Sequence, residues 1–395
     1  MPSKTLEQRL QNRLHERQEA HLYRRRPLSF GPQQPKMNLN GRETVNFCSN
    51  DYLGLADDLQ IKQAVIDALQ SGHVGYGSGA AHLVTGHHIE HHLLEDELAD
   101  WLGCPRCLLF STGYMANLAV PQALMQKGDL ILADKLCHAS LIDGALQSAA
   151  ELKRYPHNDM QSLERRLQQA EKEQRQVLII SDGVFSMDGD MAPIDRLQDL
   201  ARRYRAWLMI DDAHGFGPIG EQGLGCFKHF RRQPDEQTIL VGTLGKAFGT
   251  SGAFVAGSEL LIESLIQFAR PYIYTTASPQ INAVATRAAL KQLRNADKAR
   301  DHLKQLIERF RQGAERLGFE LMPSISPIQP ILIGDSENAL KWSHALQEQG
   351  FWVAAIRPPT VPRGSARLRI TLSAKHTLQD VDILLKALHK VQKQF

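Results

Sequence analysis

What most constrains this chain is a set of short apolar runs that alternate with amphipathic, charged stretches. The runs cover residues 107–110, 130–133, 177–181, 207–211, 238–241 and 252–256. Several are apolar almost throughout, which a strand tolerates when helices cover both faces of its sheet. Helical periodicity fills the gaps, for example at 160–174 and 194–204, so the order reads as successive βαβ units. The expected fold class is α/β, built on a large, mostly parallel sheet. A chain of 395 residues, 43% of them hydrophobic, is long enough for such a core.

The texture changes after Pro279. A charged helical stretch at 280–317 leads to shorter strands at 330–333, 351–355 and 367–371, and a helix at 378–391 closes the chain. The expected organisation is an N-terminal arm at 1–45, a large α/β domain at 46–285 and a small α+β domain at 286–395. A net charge of +3 gives no reason to expect nucleic acid, and no apolar stretch nears the roughly 20 residues of a membrane span. Residues 1–26 lack the apolar core of a signal peptide, so a cytoplasmic protein is expected. The five cysteines read as reduced thiols, and the pair in Cys104-Pro105-Arg106-Cys107 as ordinary packing rather than a zinc or redox site.

Polar residues follow these runs at their carboxyl ends, where ligands bind in open α/β sheets. Lys246 lies in Val241-Gly242-Thr243-Leu244-Gly245-Lys246, and burial there favours a neutral, nucleophilic amine. Asp211 ends the run Trp207-Leu208-Met209-Ile210. Together they form the pairing that pyridoxal 5'-phosphate requires, an acid for the pyridinium nitrogen and an amine for the Schiff base. Ser111-Thr112-Gly113-Tyr114 opens an expected helix whose free N–H groups suit a phosphate, and Thr243 could add a hydroxyl. His138 reads either as an ordinary loop histidine or as a ring stacked on the cofactor. A nucleotide-binding loop of the G-x-x-x-x-G-K-[ST] kind fails here at both ends, with Leu240 and Ala247 in the wrong places.

Other clusters have plainer readings. Asp182, Asp188 and Asp190 form an acidic turn without the terminal glutamate of a calcium loop. His87-His88-Ile89-Glu90-His91-His92 pairs histidines at i, i+4 but not in the H-E-x-x-H order, and a solvated helix is the simpler expectation, so no metal is expected. Arg24-Arg25-Arg26 reads as solvated unless one member holds a substrate anion.

Taken in order, Asn50-Asp51-Tyr52-Leu53-Gly54-Leu55, Ser111-Thr112-Gly113-Tyr114, His138-Ala139-Ser140 and the segments 184–190, 211–215 and 243–249 resemble the α-oxoamine synthases. These are fold-type I pyridoxal-phosphate transferases, homodimers with active sites at the subunit interface. The resemblance spans nearly the whole chain. It implies that Lys246 holds the cofactor and moves the Cα proton, that Asp211 pairs with the ring nitrogen, and that His138 stacks on the ring and borders the substrate. These three would be the catalytic residues. Ser186 and His214 would bond the phenolic oxygen, while Gly113, Tyr114, Thr243 and, from the partner subunit, Thr275 and Thr276 would hold the phosphate. Asn50 and Arg357 would grip the amino-acid carboxylate, and Arg24 and Thr360 would face the acyl substrate.

The segment 355–362, followed by Ala366-Arg367-Leu368-Arg369, most resembles the branch that condenses L-alanine with a pimeloyl thioester, of CoA or acyl carrier protein, in biotin biosynthesis. Glycine with a short acyl-CoA, or serine with a long one, are the alternatives within the family. A non-covalent nucleotide- or phosphate-binding protein is the alternative outside it. Asp182 in place of the usual glutamate, the segment 77–82 and Phe216 depart from the family pattern.

Overall fold

The computed structural model describes residues 5–395. The chain divides into two compact units. The smaller contains the chain up to Ser49, Met187–Gly189 and Lys304–Phe395; the larger contains Asn50–Ser186 and Asp190–Leu303.

In the smaller unit, strands β1 (Ser29–Phe30), β2 (Lys36–Leu39) and β3 (Arg42–Asn46) follow a helix at Leu6–Glu19, whose start is fixed by a capping box between Thr5 and Gln8.

The larger unit is built on β4 (Arg106–Phe110), β5 (Leu130–Asp134), β6 (Glu151–Tyr155), β7 (Val177–Asp182), β8 (Trp207–Asp211), β9 (Thr238–Thr243) and β10 (Ala253–Gly257). Their order across the sheet is β4-β10-β9-β8-β7-β5-β6. Neighbours from β6 to β9 are parallel, and β10 runs antiparallel to both β9 and β4. All six apolar runs are strands, and every residue of β5, β7 and β10 is buried. Ile131, Ile180, Met209, Ile239 and Val255 have no exposed surface and form the centre of one core cluster.

The smaller unit is completed by β11 (Ile328–Gly334), β12 (Phe351–Trp352), β13 (Ala354–Ile356) and β14 (Ala366–Thr371). β12 pairs in parallel with β3, with Phe351 opposite Val45, while β11, β14 and β13 form a separate antiparallel sheet. The N-terminal segment, expected as a separate arm, therefore groups with the C-terminal part of the chain. The helical stretch expected at 280–317 is two helices, Gln280–Arg294 and Asp297–Arg316, and the unit division falls within the second. Among the described residues no helix is long and apolar enough to cross a membrane.

Candidate active site

Parallel pairing brings the carboxyl ends of β5, β7 and β8 to one edge of the larger sheet. Three acids, Asp134, Asp182 and Asp211, end these strands and are 0%, 4% and 8% exposed. Asp182 lies directly opposite Asp211 in the ladder. Buried carboxylates this close need separate partners.

Each has its own. Asp211 Oδ2 accepts from Asn117 Nδ2 at 2.6 Å, and its Oδ1 from the Ala213 amide at 3.1 Å. Asn117 also donates to Ser140 Oγ at 2.8 Å, and Ser140 Oγ lies 2.7 Å from His138 Nδ1. The Ser140 amide donates to that same nitrogen at 3.3 Å, so Nδ1 is an acceptor and the neutral ring carries its proton on Nε2. Burial lowers the His138 pKa, against the opposing pull of Asp211. Asp182 Oδ2 accepts from the His138 amide at 2.8 Å. Burial, reinforced by Asp211, pushes the Asp182 carboxyl well above its usual range. Asp182, which stands where the family pattern has glutamate, thus fixes the main chain of His138.

Asp134 is clamped differently. His157 Nδ1 lies 3.0 Å from Asp134 Oδ1, and Nε2 lies 2.8 Å from Asp190 Oδ2. Burial opposes protonation of His157, but the two carboxylates outweigh it and push the pKa up to about 10. The Phe185 amide donates to the Asp190 carbonyl at 2.9 Å, so this cationic clamp holds the turn that carries Ser186.

Beyond β9, Lys246 has φ +47°, a left-handed conformation uncommon outside glycine. Strain of this kind is held only where neighbouring structure enforces it. The Leu244 amide donates to the Gly252 carbonyl and the Thr250 amide to the Leu244 carbonyl, both at 2.9 Å. Gly249 closes the turn so near the Leu55–Ala56 backbone that a Cβ there would lie 2.4 Å from the Ala56 nitrogen. The same Asn50–Ala56 stretch buries Tyr52, whose hydroxyl lies 2.5 Å from His214 Nδ1 and 3.3 Å from Asn50 Oδ1.

Gly113 and Tyr114 open the helix Gly113–Leu124, and Thr112 caps it through the Met115 amide at 3.2 Å. The amides of the first turn have no acceptor inside the helix and suit an anion. A Cβ on Gly113 would lie 3.9 Å from Thr243 Cβ, so β9 ends beside this helix start. Thr243 Oγ1 donates to the Gly252 carbonyl at 3.1 Å, which commits its proton to the turn rather than to an anion. Thr275 is half-buried and Thr276 exposed, with Thr276 bridged to Ala81.

In the smaller unit, Arg357 donates through Nη1 to the His21 carbonyl, and the Thr360 amide donates to the Arg357 carbonyl at 3.1 Å. Burial and the nearby charge of Arg24 both lower the Arg357 pKa. Two guanidiniums acting on each other in this way favour an anion. A cavity of about 870 Å³ is lined by Arg357, Arg25, Arg26, His21 and His344.

Cys104 and Cys107 are buried free thiols, with burial pushing Cys104 to about 11. Asp188 accepts from Arg367 Nη1 at 2.5 Å, so each member of the acidic turn has a protein partner. Phe216 fills the core between Trp101 and Phe254, each ring 5.5 Å away. The site also uses Asn117, Ser140 and Tyr52, to which the sequence alone assigns no role. An asparagine inside the otherwise apolar Met115–Val120 stretch was the available signal.

The sequence profile of the family described as aminotransferase class I and II matches residues 42–388. The 8-amino-7-oxononanoate synthase of Hydrogenovibrio crunogenus is 63% identical over 382 residues, 97% of this chain and 96% of that protein. Among solved structures, a serine palmitoyltransferase from S. paucimobilis with bound PLP matches with a TM-score of 0.92 at 28% identity, over 99% of each chain. The 8-amino-7-oxononanoate synthase from Francisella tularensis matches with a TM-score of 0.77 at 34% identity, over 89% of this chain and 98% of that one.

Proposed function

The chain belongs to the aminotransferase class I and II family and, within it, to the 8-amino-7-oxononanoate synthases, and from that premise we propose that it condenses L-alanine with a pimeloyl thioester. The products are 8-amino-7-oxononanoate, CO2 and the free thiol, with pyridoxal phosphate bound through Lys246. The observation that carries this reading is the buried relay from Asp211 through Asn117 and Ser140 to His138, at the same sheet edge as the Lys246 turn. A non-covalent nucleotide-binding protein is set aside by the family.

The residues present fit the cofactor. Asp211 receives neutral donors from Asn117 and Ala213, and a carboxylate has further lone pairs for a charged N–H. The open amides of Gly113 and Tyr114 suit its phosphate. When bound, the cofactor supplies an electron-withdrawing ring that spreads negative charge formed at Cα.

This chain's own residues do the rest. Once the substrate amine has displaced it from the cofactor, the freed Lys246 amine would take the proton from Cα and return it after CO2 has left. Asp211 holds a proton at the ring nitrogen, and Asn117 fixes the carboxylate that does so. His138, neutral and anchored at its main chain by Asp182, presents a flat ring for stacking. When Tyr52 donates to His214 Nδ1, Nε2 of that ring carries the proton and can donate to the phenolic oxygen; Ser186 is assigned to the same atom. Gly113, Tyr114 and Thr243, with the partner's Thr275 and Thr276, are assigned to the phosphate. Thr243 must turn its hydroxyl from Gly252 to donate there. Asn50 and Arg357 are assigned to the amino-acid carboxylate, the latter as a planar fork, and Arg24 and Thr360 to the acyl substrate. The active enzyme is read as a cytoplasmic homodimer.

The structural likeness to serine palmitoyltransferase favours a second reading, serine with a long acyl-CoA. Its 28% identity against 63% for the alanine-using branch argues for the first. Mass spectrometry of the holoenzyme's product decides between them. Alanine with pimeloyl-CoA is expected to give 8-amino-7-oxononanoate, and a product only from serine and palmitoyl-CoA overturns the assignment. Asp211→Asn is expected to retain cofactor and lose turnover, and near-normal turnover would refute the role given to Asp211.

A further inference from the structure

The histidine cluster that follows residue 81 is solvated only in part: His87 and His92 are exposed, while His91 is buried. His82, at the start of the short π-turn His82–Gly86, and His87, just after it, meet His91, His92 and Glu95 of the helix Ile89–Leu102. His91 is fully buried and Glu95 is 8% exposed. Two triads have ligand atoms within 4.8 Å of one another, His82/His87/His91 and His87/His92/Glu95.

Proton bookkeeping separates them. His91 Nδ1 accepts from the His88 amide at 3.1 Å, and its Nε2 lies 2.9 Å from the Ser278 carbonyl, to which it can only donate. Both ring nitrogens are thereby committed, and His91 has no lone pair for a cation. The second triad has no such obstacle. Glu95 Oε1 accepts from the Leu109 amide at 2.9 Å, which holds the side chain in place. Its Oε2 points the other way, 4.0 Å from His87 Nε2. His87 Nδ1 lies 3.0 Å from His82 Nδ1, so a ligating His87 would donate its remaining N–H to His82. An imidazole that binds metal through one nitrogen and donates from the other is the usual second contact at such sites.

We propose that His87, His92 and Glu95 form a binding site for a divalent transition-metal cation, zinc above all, with a fourth position left to water. Two imidazoles and one carboxylate are a zinc donor set, and imidazole disfavours calcium and magnesium. In a tetrahedral zinc site ligand atoms lie about 3.4 Å apart, given bonds of about 2.1 Å. His87 Nε2 and Glu95 Oε2, 4.0 Å apart, must close by about 0.6 Å, and His92, whose side chain is 59% exposed, has room to rotate toward them. The bound cation would fasten the π-turn to the helix and, through Glu95, to β4. The π-turn follows Ala81, which is bridged to Thr276, so the cation would also stiffen a segment assigned above to the cofactor phosphate. The site itself does not depend on that assignment.

The test is calorimetric titration of the untagged, chelator-treated holoenzyme with zinc in phosphate-free buffer, together with the visible spectrum after adding cobalt(II). The expected result is one zinc per chain and the intense visible bands of four-coordinate cobalt. His87→Ala and His92→Ala should each weaken binding at least about tenfold, with unchanged circular dichroism, and His82→Ala should weaken it about 10-fold to 100-fold as a secondary contact. Absence of stoichiometric binding, or binding that survives the double variant His87→Ala/His92→Ala, overturns the proposal.

Discussion

At the scale of single residues, the proposed catalysis rests on a few polar contacts made inside an apolar sheet. Lys246→Ala should remove turnover by at least about 10³-fold while leaving the thermal midpoint near that of the parent, because the half-buried side chain leaves a gap at a turn rather than in the core. Steady-state assay and calorimetry on the same preparation check both halves. Asn117→Ala tests the relay. It deletes the 2.6 Å bond to Asp211, and loss of a charged hydrogen bond of roughly 1.5–3 kcal/mol corresponds to roughly a 10- to 150-fold fall in kcat. A rise in KM with kcat unchanged would show instead that Asn117 contributes only to ground-state binding. Lys246 and Asp211, proposed here as catalytic, were legible in the sequence because each follows an apolar run at a strand end, whereas His138 alone read as an ordinary loop histidine and took its role from the family resemblance. Asn117, Ser140 and Tyr52 were less so, since nothing in a linear pattern says which polar residue faces another across a sheet.

At the scale of elements, the loops after the strands are held by buried ionic groups. Asp212 accepts from the Cys226 amide at 2.6 Å and from its thiol at 3.0 Å, and burial pushes its carboxyl to about 6. A Cβ on Gly183, Gly215 or Gly225 would lie 2.4, 2.0 or 2.1 Å from an Asp212 oxygen. Gly215→Ala should therefore destabilise by roughly 1–3 kcal/mol, as overpacking does, read as a lowered midpoint in urea. The His157 clamp predicts a pH dependence. Its pKa is raised from 6.5 to about 10 in the folded state, so its contribution is complete below about pH 6.5 and is lost as pH rises through 10. His157→Gln should lower stability by roughly 2–3 kcal/mol at pH 6 and by much less above pH 10, a difference that thermal melts across this range will show. The apolar runs identified β4, β5 and β7–β10 from sequence. β6 escaped because Glu151-Leu152-Lys153-Arg154-Tyr155 is a half-exposed edge strand with no apolar run. The break at Asn295–Ala296 escaped because helical periodicity resumes immediately after it.

At the scale of the whole molecule, chain order and compact units disagree. The segment up to Ser49 belongs with Lys304–Phe395, a grouping invisible to sequence because β3 and β12 are paired across some three hundred residues. A chain ended after Leu303 should leave residues 29–46 without their parallel partner and open to protease. Limited proteolysis should cleave there first, and resistance equal to the full chain would show that this segment needs no C-terminal support. The same pairing predicts that long-range closure comes late in folding, because loop-closure entropy must be overcome before distant strands reward it.

The reversed strand β10 has the opposite consequence for Lys246. Every other junction in the larger sheet requires a crossover, but β9 returns directly through the lysine turn into β10, with Thr243 opposite Ala253. The turn closes on neighbours in sequence and needs little of the remaining sheet to take shape. In pulsed hydrogen exchange during refolding, the amides of Leu244 and Thr250 should be protected early, ahead of those of β12. Lys246 would then acquire its constrained backbone before the rest of the molecule assembles around it.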